Sequence, residues 1–121
     1  MVINLYFSII HYIFHKNKFL YNNIHYIHHQ LIITDGFSAF YAHPIEHILT
    51  TIFPPAIAFY IMDANLELIQ FSLIILTCST TMAHTHFKGK NLTHNLHHIY
   101  QVYNYDNWPN FFDKYMKTYL I

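Results

Sequence analysis

The chain has 121 residues, enough for one domain at most, and its six Lys, with no Arg, balance six Asp and Glu. Charged residues make up 10% of it, apolar residues 54% and aromatics 19%, and Cys78 is the single cysteine. This excludes a basic nucleic-acid-binding face, a polar disordered chain and a disulfide-stapled secreted module, leaving a membrane protein or a very apolar globular one.

Met1 to His15 is almost wholly apolar and aromatic. It has no positive leading segment and no small-residue cleavage site, so it does not read as a signal peptide. It also falls short of the about 20 residues of a spanning helix. The reading is a helix stopped at Lys16 and Lys18. Residues 16–47 are mixed, with a turn expected around Thr34-Asp35-Gly36.

From Pro44, a favoured first helical residue, a helix to Met62 would measure about 28 Å, close to the about 30 Å hydrocarbon core of a bilayer. Pro54-Pro55 should kink this arm unless neighbours satisfy the freed carbonyls. Asp63-Ala64-Asn65 reads as a tight turn, and Leu66 to Ala83 as a second apolar arm. The two arms, about 44–83, are expected to form an apolar helical hairpin that spans or nearly spans a bilayer. A hairpin buried in a soluble core is the competing reading.

Cys78, in the second arm, reads as a small buried hydrophobe. All six lysines lie outside the hairpin, on the side that holds the histidines, so the positive-inside rule puts the histidines on the cytosolic face. His84 to Ile121 is polar and aromatic. The expected class is all-α: a membrane-associated helical protein with one apolar hairpin and a His-rich helical cap, forming one domain over residues 1–121.

Twelve histidines in such a chain ask for an explanation, and they are clustered. His11 and His15 are four apart. His25, His28 and His29 follow the i, i+3, i+4 pattern, and His43 and His47 are again four apart. Beyond the hairpin come His84 and His86, then His94, His97 and His98. On a helix, i, i+3 and i+4 share a face with Cβ atoms about 5–6 Å apart, so each cluster offers two or three imidazoles side by side, as metal ligation needs. His84 and His86 do not share a helix face; one joins a site if that stretch is helical, both if it is extended.

Imidazole suits iron, zinc, copper and nickel. A tetrahedral zinc takes four ligands, so this many histidines points to two metals. The pairs lack the Glu of the zinc-protease helix, and carboxylates are too few for a Glu-x-x-His bundle site. A lone His on an apolar face is usually a hydrogen-bonded core residue, and AT-rich codon drift enriches Asn, Ile and Lys. Neither explains an i, i+3, i+4 spacing that occurs twice.

The order His-x-x-x-His, His-x-x-His-His, Tyr41-Ala42-His43-Pro44-Ile45-Glu46-His47, apolar hairpin, His-x-x-His-His resembles the fatty acid hydroxylase superfamily, which includes sterol desaturases, C4-methylsterol oxidases and fatty acid hydroxylases. Ile24-His25-Tyr26-Ile27-His28-His29 is similar to its second histidine box, and the segment from Tyr41 to His47 is most similar to its sterol-modifying branch. Tyr103-Asn104-Tyr105 and Phe112-Asp113-Lys114-Tyr115-Met116-Lys117-Thr118-Tyr119 resemble its Asn-Tyr-Gly and Trp-Asp-x-x-Phe-Gly-Thr ending. Asp106 stands where the family usually has Gly, and Met116-Lys117 where it has Phe-Gly. Family members are longer, with a further transmembrane pair ahead of the first box, so the chain is expected to be a catalytic half without that pair.

The resemblance implies two iron ions, with zinc able to substitute in a preparation. It implies ligation by His11, His15, His25, His28, His29, His94, His97 and His98, with His84 or His86 as a ninth ligand. His43 and His47 would ligate or support. Glu46, Asp35 and Asp106 are the carboxylates available to hold imidazole N–H groups, although Asp35 reads more readily as a solvated surface charge. Trp108 and the tail tyrosines read as interfacial or core aromatics.

The implied activity is hydroxylation or desaturation of an aliphatic C–H bond of a sterol or fatty acyl lipid with O2. It would take place in the endoplasmic reticulum membrane, with electrons from a b-type cytochrome and its reductase and with no nucleic acid partner. Two other readings compete: a catalytically silent metal-binding remnant, and a membrane zinc-binding protein. The zinc reading suffers because transport sites sit at the bilayer midplane, and no histidine interrupts the middle of the hairpin.

Overall fold

A computed structural model describes residues 2–85, 92–106 and 110–120. All regular structure among these residues is helical. Helix α1 (Val2–Lys16) ends at the expected lysine. Asn17 then leaves helical geometry, and its side chain accepts the N–H groups of Phe19 and Leu20 at 3.0 and 3.1 Å, capping α2 (Lys18–Asn23). A cap of this kind satisfies two of the spare donors that begin every helix.

The second histidine box winds as a 3-10 helix, His25–Gln30. The expected turn follows: the Asp35 carboxylate accepts the N–H groups of Phe37 and Ser38 at 3.0 and 2.9 Å, and starts a short 3-10 turn, Ser38–Phe40. Gly36 lets this loop touch the second apolar arm, because a Cβ at that position would lie 2.7 Å from Thr81 Cγ2.

The first arm runs as α3 (Pro44–His47), a π-helical turn (Ile48–Ile52) and α4 (Phe53–Ile61). Pro54 and Pro55 lack N–H groups, so the carbonyls of Thr50 and Thr51 lose their ordinary helical partners. The chain answers with the π turn. Phe53 N–H reaches back to Ile48 O, and both prolines sit in the first turn of α4, where N–H groups are spare anyway. The kink expected at the prolines is therefore a π turn just ahead of them.

Asp63, at φ 48°, makes the tight turn. Asn65 then caps α5 (Leu66–His84) by accepting Leu68 N–H at 2.9 Å. The 19 residues of α5 have a mean hydropathy of 1.5 and none of its apolar window is buried; among the described residues this is the one helix long and apolar enough to cross a membrane. A core helix of a soluble protein would be covered by its neighbours. Here Phe71, Leu73, Ile74 and Ile75 are exposed, which fits a surface turned to lipid. Cys78 shares that uncovered surface and is exposed, so its reading as a buried hydrophobe is corrected: no neighbouring element covers it.

Helix α6 (Leu92–Tyr100) packs on α5, and α7 (Phe111–Met116) packs on α1. The interior they enclose is unusual. Among the described residues, Phe14, Ile24, Ala39, Tyr105 and the two prolines Pro54 and Pro55 are the buried apolar side chains, while eight histidines are buried: His11, His25, His28, His29, His84, His94, His97 and His98. Unpaired polar groups are costly to bury, so the centre of this fold is polar for a reason other than packing.

Candidate metal centre

The histidines converge as two groups. His11, His15, His25, His29 and His97 form one, and His28, His84, His94 and His98 the other; in each, one ring nitrogen per residue lies within 4.8 Å of all the rest. The helical winding explains the sorting. The i, i+4 pairs stay together: His11 with His15, His25 with His29, and His94 with His98. The remaining histidine of the second and third boxes turns the other way, so His28 joins the four-membered group and His97 the five-membered one. Adjacent residues in a 3-10 helix diverge by about 120°, and in an α-helix by about 100°. The second and third boxes thus each serve both groups, where their spacing alone led us to expect one shared face, and the first box serves the larger group only. His84 ends α5 and completes the smaller group. His86 lies outside the described residues.

The donor atoms stand as neighbouring ligands stand on one ion. In the larger group the Nε2 contacts close a ring: His15 to His25 at 2.8 Å, His25 to His29 at 3.0 Å, His29 to His97 at 3.2 Å, and His97 to His15 at 3.0 Å. Bonds of about 2.1 Å to one metal separate adjacent donors by about 3.0 Å at right angles and about 3.4 Å at the tetrahedral angle. In the smaller group the Nε2 atoms of His28 and His84 are 3.3 Å apart. The Nε2 atoms of His11, His94 and His98 are buried with no hydrogen-bond partner among the described residues.

Tautomers are fixed from outside. His11 Nδ1 lies 2.7 Å from Tyr105 O, His28 Nδ1 3.1 Å from Tyr41 O, His84 Nδ1 2.9 Å from Thr80 O, His97 Nδ1 2.6 Å from Tyr103 O, and His98 Nδ1 3.1 Å from Leu31 O. A carbonyl only accepts, so each Nδ1 carries the proton and each Nε2 presents a lone pair. The sixth orienting partner is Glu46, whose Oε1 sits 2.7 Å from His25 Nδ1. Carbonyls and carboxylates in this position are the usual supports of metal-bound imidazoles.

Burial keeps the rings neutral. It lowers the His11 pKa to about 4, that of His98 to about 3 and that of His15 to about 2, and the neighbouring imidazoles push His98 and His15 the same way. His25, His28, His29, His94 and His97 are also lowered, first by desolvation and then by the other rings. Neutral imidazole is the ligating form. The residues therefore fit two metal ions: convergent ring nitrogens, mostly buried, with six of the nine rings held by a partner on Nδ1.

The other sequence candidates divide. Glu46, buried, lies against His25 Nδ1. Among the described residues, His43 and His47 stand outside both groups: His43 Nδ1 accepts Ile45 N–H at 3.1 Å and caps α3, and His47 Nε2 lies 2.8 Å from Phe40 O. Their i, i+4 spacing was a helix-start signal more than a ligand signal. Asp35 caps a turn. Asp106 is buried, accepting from Ser8 Oγ at 2.7 Å and Phe112 N–H at 3.3 Å, and so joins α1 to α7.

Tyr105 is buried with its ring against His11, His15 and His97, and its hydroxyl is pushed up to about 12 by burial. Trp108 lies outside the described residues. Backbone carbonyls were not foreseen as supports, since a motif of side chains carries no signal for them.

A cleft of about 100 Å³ opens beside both groups, between α1, the first arm and α5. Ile3, Phe7, Pro55 and Leu76 give it an apolar wall, and His11, His25, His28, His84 and His94 stand along it.

The family profile for fatty acid hydroxylases matches residues 1–118. The chain is 29% identical to a sphinganine C4-monooxygenase of Arabidopsis thaliana over 120 residues, covering 88% of this chain and 46% of that protein. It is 30% identical to a very-long-chain aldehyde decarbonylase of Oryza sativa, covering 79% and 42%. It is 32% identical to the human fatty acid hydroxylase domain-containing protein 2, covering 74% and 28%. The chain therefore spans about half or less of the length of these relatives. No solved structure matches it. With the histidine boxes, their helical setting and the profile in agreement, the chain belongs to the fatty acid hydroxylase family.

Proposed function

We propose that this chain is the catalytic domain of a membrane-bound, diiron, O2-dependent lipid oxidoreductase. In this reading His11, His15, His25, His29 and His97 hold one iron, and His28, His84, His94 and His98 hold the other. The observation that carries it is the convergence of bare Nε2 atoms into two groups, one of them with five donors. Five donors exceed the four of a structural zinc and suit iron at higher coordination. A bound ferrous pair supplies the redox chemistry by which O2 oxidises an unactivated C–H bond, which no side chain here can do. Overall, the C–H bond, O2, two electrons and two protons give a C–OH group and water.

The chain's own residues position and exclude. The carbonyls of Tyr105, Tyr103, Tyr41, Thr80 and Leu31 hold the rings in the ligating tautomer. Ile3, Phe7, Pro55 and Leu76 offer a lipid chain an apolar wall, with histidines of both groups beside it. A substrate lying there faces both metal positions at once. The uncovered apolar surface of α5 supports a membrane setting, and the lysines beside the histidines support a cytosolic site at the endoplasmic reticulum, fed by a b-type cytochrome and its reductase. The relatives are named for sphinganine and for very-long-chain aldehydes, so the substrate class is a long-chain lipid, with sphingoid, fatty acyl and sterol members to be compared.

The test is metal analysis of the detergent-solubilised chain, followed by incubation of the iron form with O2, reductant and each lipid. The expected result is two irons per chain with a coupled-iron spectrum, and a product carrying one added oxygen atom. One zinc per chain, or no metal at all, would overturn the reading. Two irons with no product from any lipid would favour a metal-binding remnant.

A further inference from the structure

The feature left without a role is the tail, residues 103–106 and 110–118, and it meets the larger histidine group at two peptide planes. The carbonyl of Tyr105 accepts His11 Nδ1–H at 2.7 Å. The N–H of that same peptide belongs to Asp106, and it donates to Asp113 Oδ2 at 2.7 Å. The carbonyl of Tyr103 accepts His97 Nδ1–H at 2.6 Å. The N–H of that peptide belongs to Asn104, and it donates to Thr118 O at 2.9 Å. In a planar trans peptide the N–H and C=O point in opposite directions. Gripping the N–H therefore aims the carbonyl, and the carbonyl aims the imidazole.

The grips are themselves tied together. Asp113 Oδ1 accepts Tyr105 N–H at 2.9 Å and Thr118 Oγ at 2.7 Å, and Asp113 O accepts Thr118 N–H at 2.8 Å. Asn104, at φ 56°, also holds the end of the chain, accepting Leu120 N–H at 2.8 Å and donating to Leu120 O at 3.0 Å. Asp113 and Asn104 are fully buried. The carbonyls that orient the smaller group, those of Leu31, Tyr41 and Thr80, come from elsewhere in the fold.

We infer that Asp113 and Thr118 form a positioning clamp that fixes the ring orientation and tautomer of His11 and His97, and so governs the five-histidine group and leaves the four-histidine group alone. The consequence for metal binding rests on the proposal that each group holds an ion; the effect on the tautomers does not. The two metal positions are thereby inequivalent: one depends on the tail and one does not.

Asp113→Asn is the sharpest test, because it sets an amide NH2 against an N–H that needs an acceptor. Cobalt(II) is titrated into the metal-free, detergent-solubilised wild type and variant, followed by visible absorption and metal content. The wild type should take up two ions. The variant should keep one binding step unchanged and show the other weakened about 10–100-fold, as loss of outer supports does. The independent readout is side-chain 15N NMR of the metal-free histidines: His11 and His97 should lose their Nδ1–H form in the variant, while His28 and His98 keep theirs.

Unchanged tautomers, or two binding steps unchanged or weakened alike, would overturn the clamp. A wild type that takes up no cobalt while the tautomers shift as expected would sink the metal reading and leave the clamp standing. Should Asp113→Asn not fold, Thr118→Val, which removes only the hydroxyl that secures Asp113, carries the same two readouts.

Discussion

His28 and His84 lie 56 positions apart in the chain and face each other through Nε2 atoms 3.3 Å apart. Each gives its Nδ1 proton to a backbone carbonyl, so neither Nε2 has a hydrogen to share. Two lone pairs at this distance repel, and burial denies them water. A cation between them turns the repulsion into attraction, which makes this pair a sensitive place to interrogate the smaller group.

His84→Ala should therefore lower the metal content from two ions per chain to one, as should His15→Ala in the other group. The double variant should hold none. Each loss should also lower the melting temperature, because an ion bound at a hundred times its Kd stabilises the fold by about 2.7 kcal/mol. Metal analysis and thermal melts of the four proteins check this. Complete loss from either single variant would show that the groups are not separate.

Acid should destabilise the metal-free chain through the same rings. The ordinary histidine pKa is 6.5, and burial lowers His11 to about 4 and His98 to about 3. A ring lowered in this way contributes its full stability above pH 6.5. As the pH falls below that value the unfolded chain takes up protons that the fold refuses, so stability declines until the folded values are passed. The expected contribution of these rings is a melting temperature that falls steadily from about pH 6.5 towards about pH 4, opposed over part of that range by buried Glu46, whose carboxyl is raised to about 8 and so favours the fold at lower pH. Protons also compete with metal for the same nitrogens, so the loaded protein should release its ions within that window. A melting temperature independent of pH between these limits would contradict the burial of neutral imidazoles.

The spacing of the histidines pointed to which of them come together, because i, i+4 pairs are local and helices are local. It did not disclose the partition. Which way His28 and His97 turn depends on how one helix is wound and on what lies across from it. The supports were least legible: a carbonyl belongs to every residue, and only the path of the chain decides that those of Tyr103 and Tyr105 point at imidazoles. The ends of the two apolar arms were legible from Pro44, Asp63 and Asn65. The π turn of the first arm was not, since that depends on how a chain accommodates two missing N–H groups. Cys78 misled because apolar surroundings in sequence do not distinguish a protein core from a lipid-facing surface.

Lys117 is the most direct test of the tail as a built structure. It ends α7 with φ 58° and ψ 33°, the left-handed conformation, at the position where the family pattern resembled in this tail has Gly. A side chain in that conformation costs about 1–2 kcal/mol, while a glycine loses about 0.5–1 kcal/mol more entropy on folding. Lys117 is exposed, so removing its side chain uncovers no buried surface. Lys117→Gly should therefore stabilise the chain by about 0.5–1 kcal/mol, and Lys117→Val, branched at Cβ, should destabilise it. Because Lys117 closes the helix that carries Asp113, the stabilised variant should also hold the tail-dependent ion at least as tightly as the wild type. Denaturant melts of the three proteins in one detergent give the order Gly above Lys above Val, and a Val variant as stable as the Gly variant would show that the left-handed turn at 117 is not the conformation in solution.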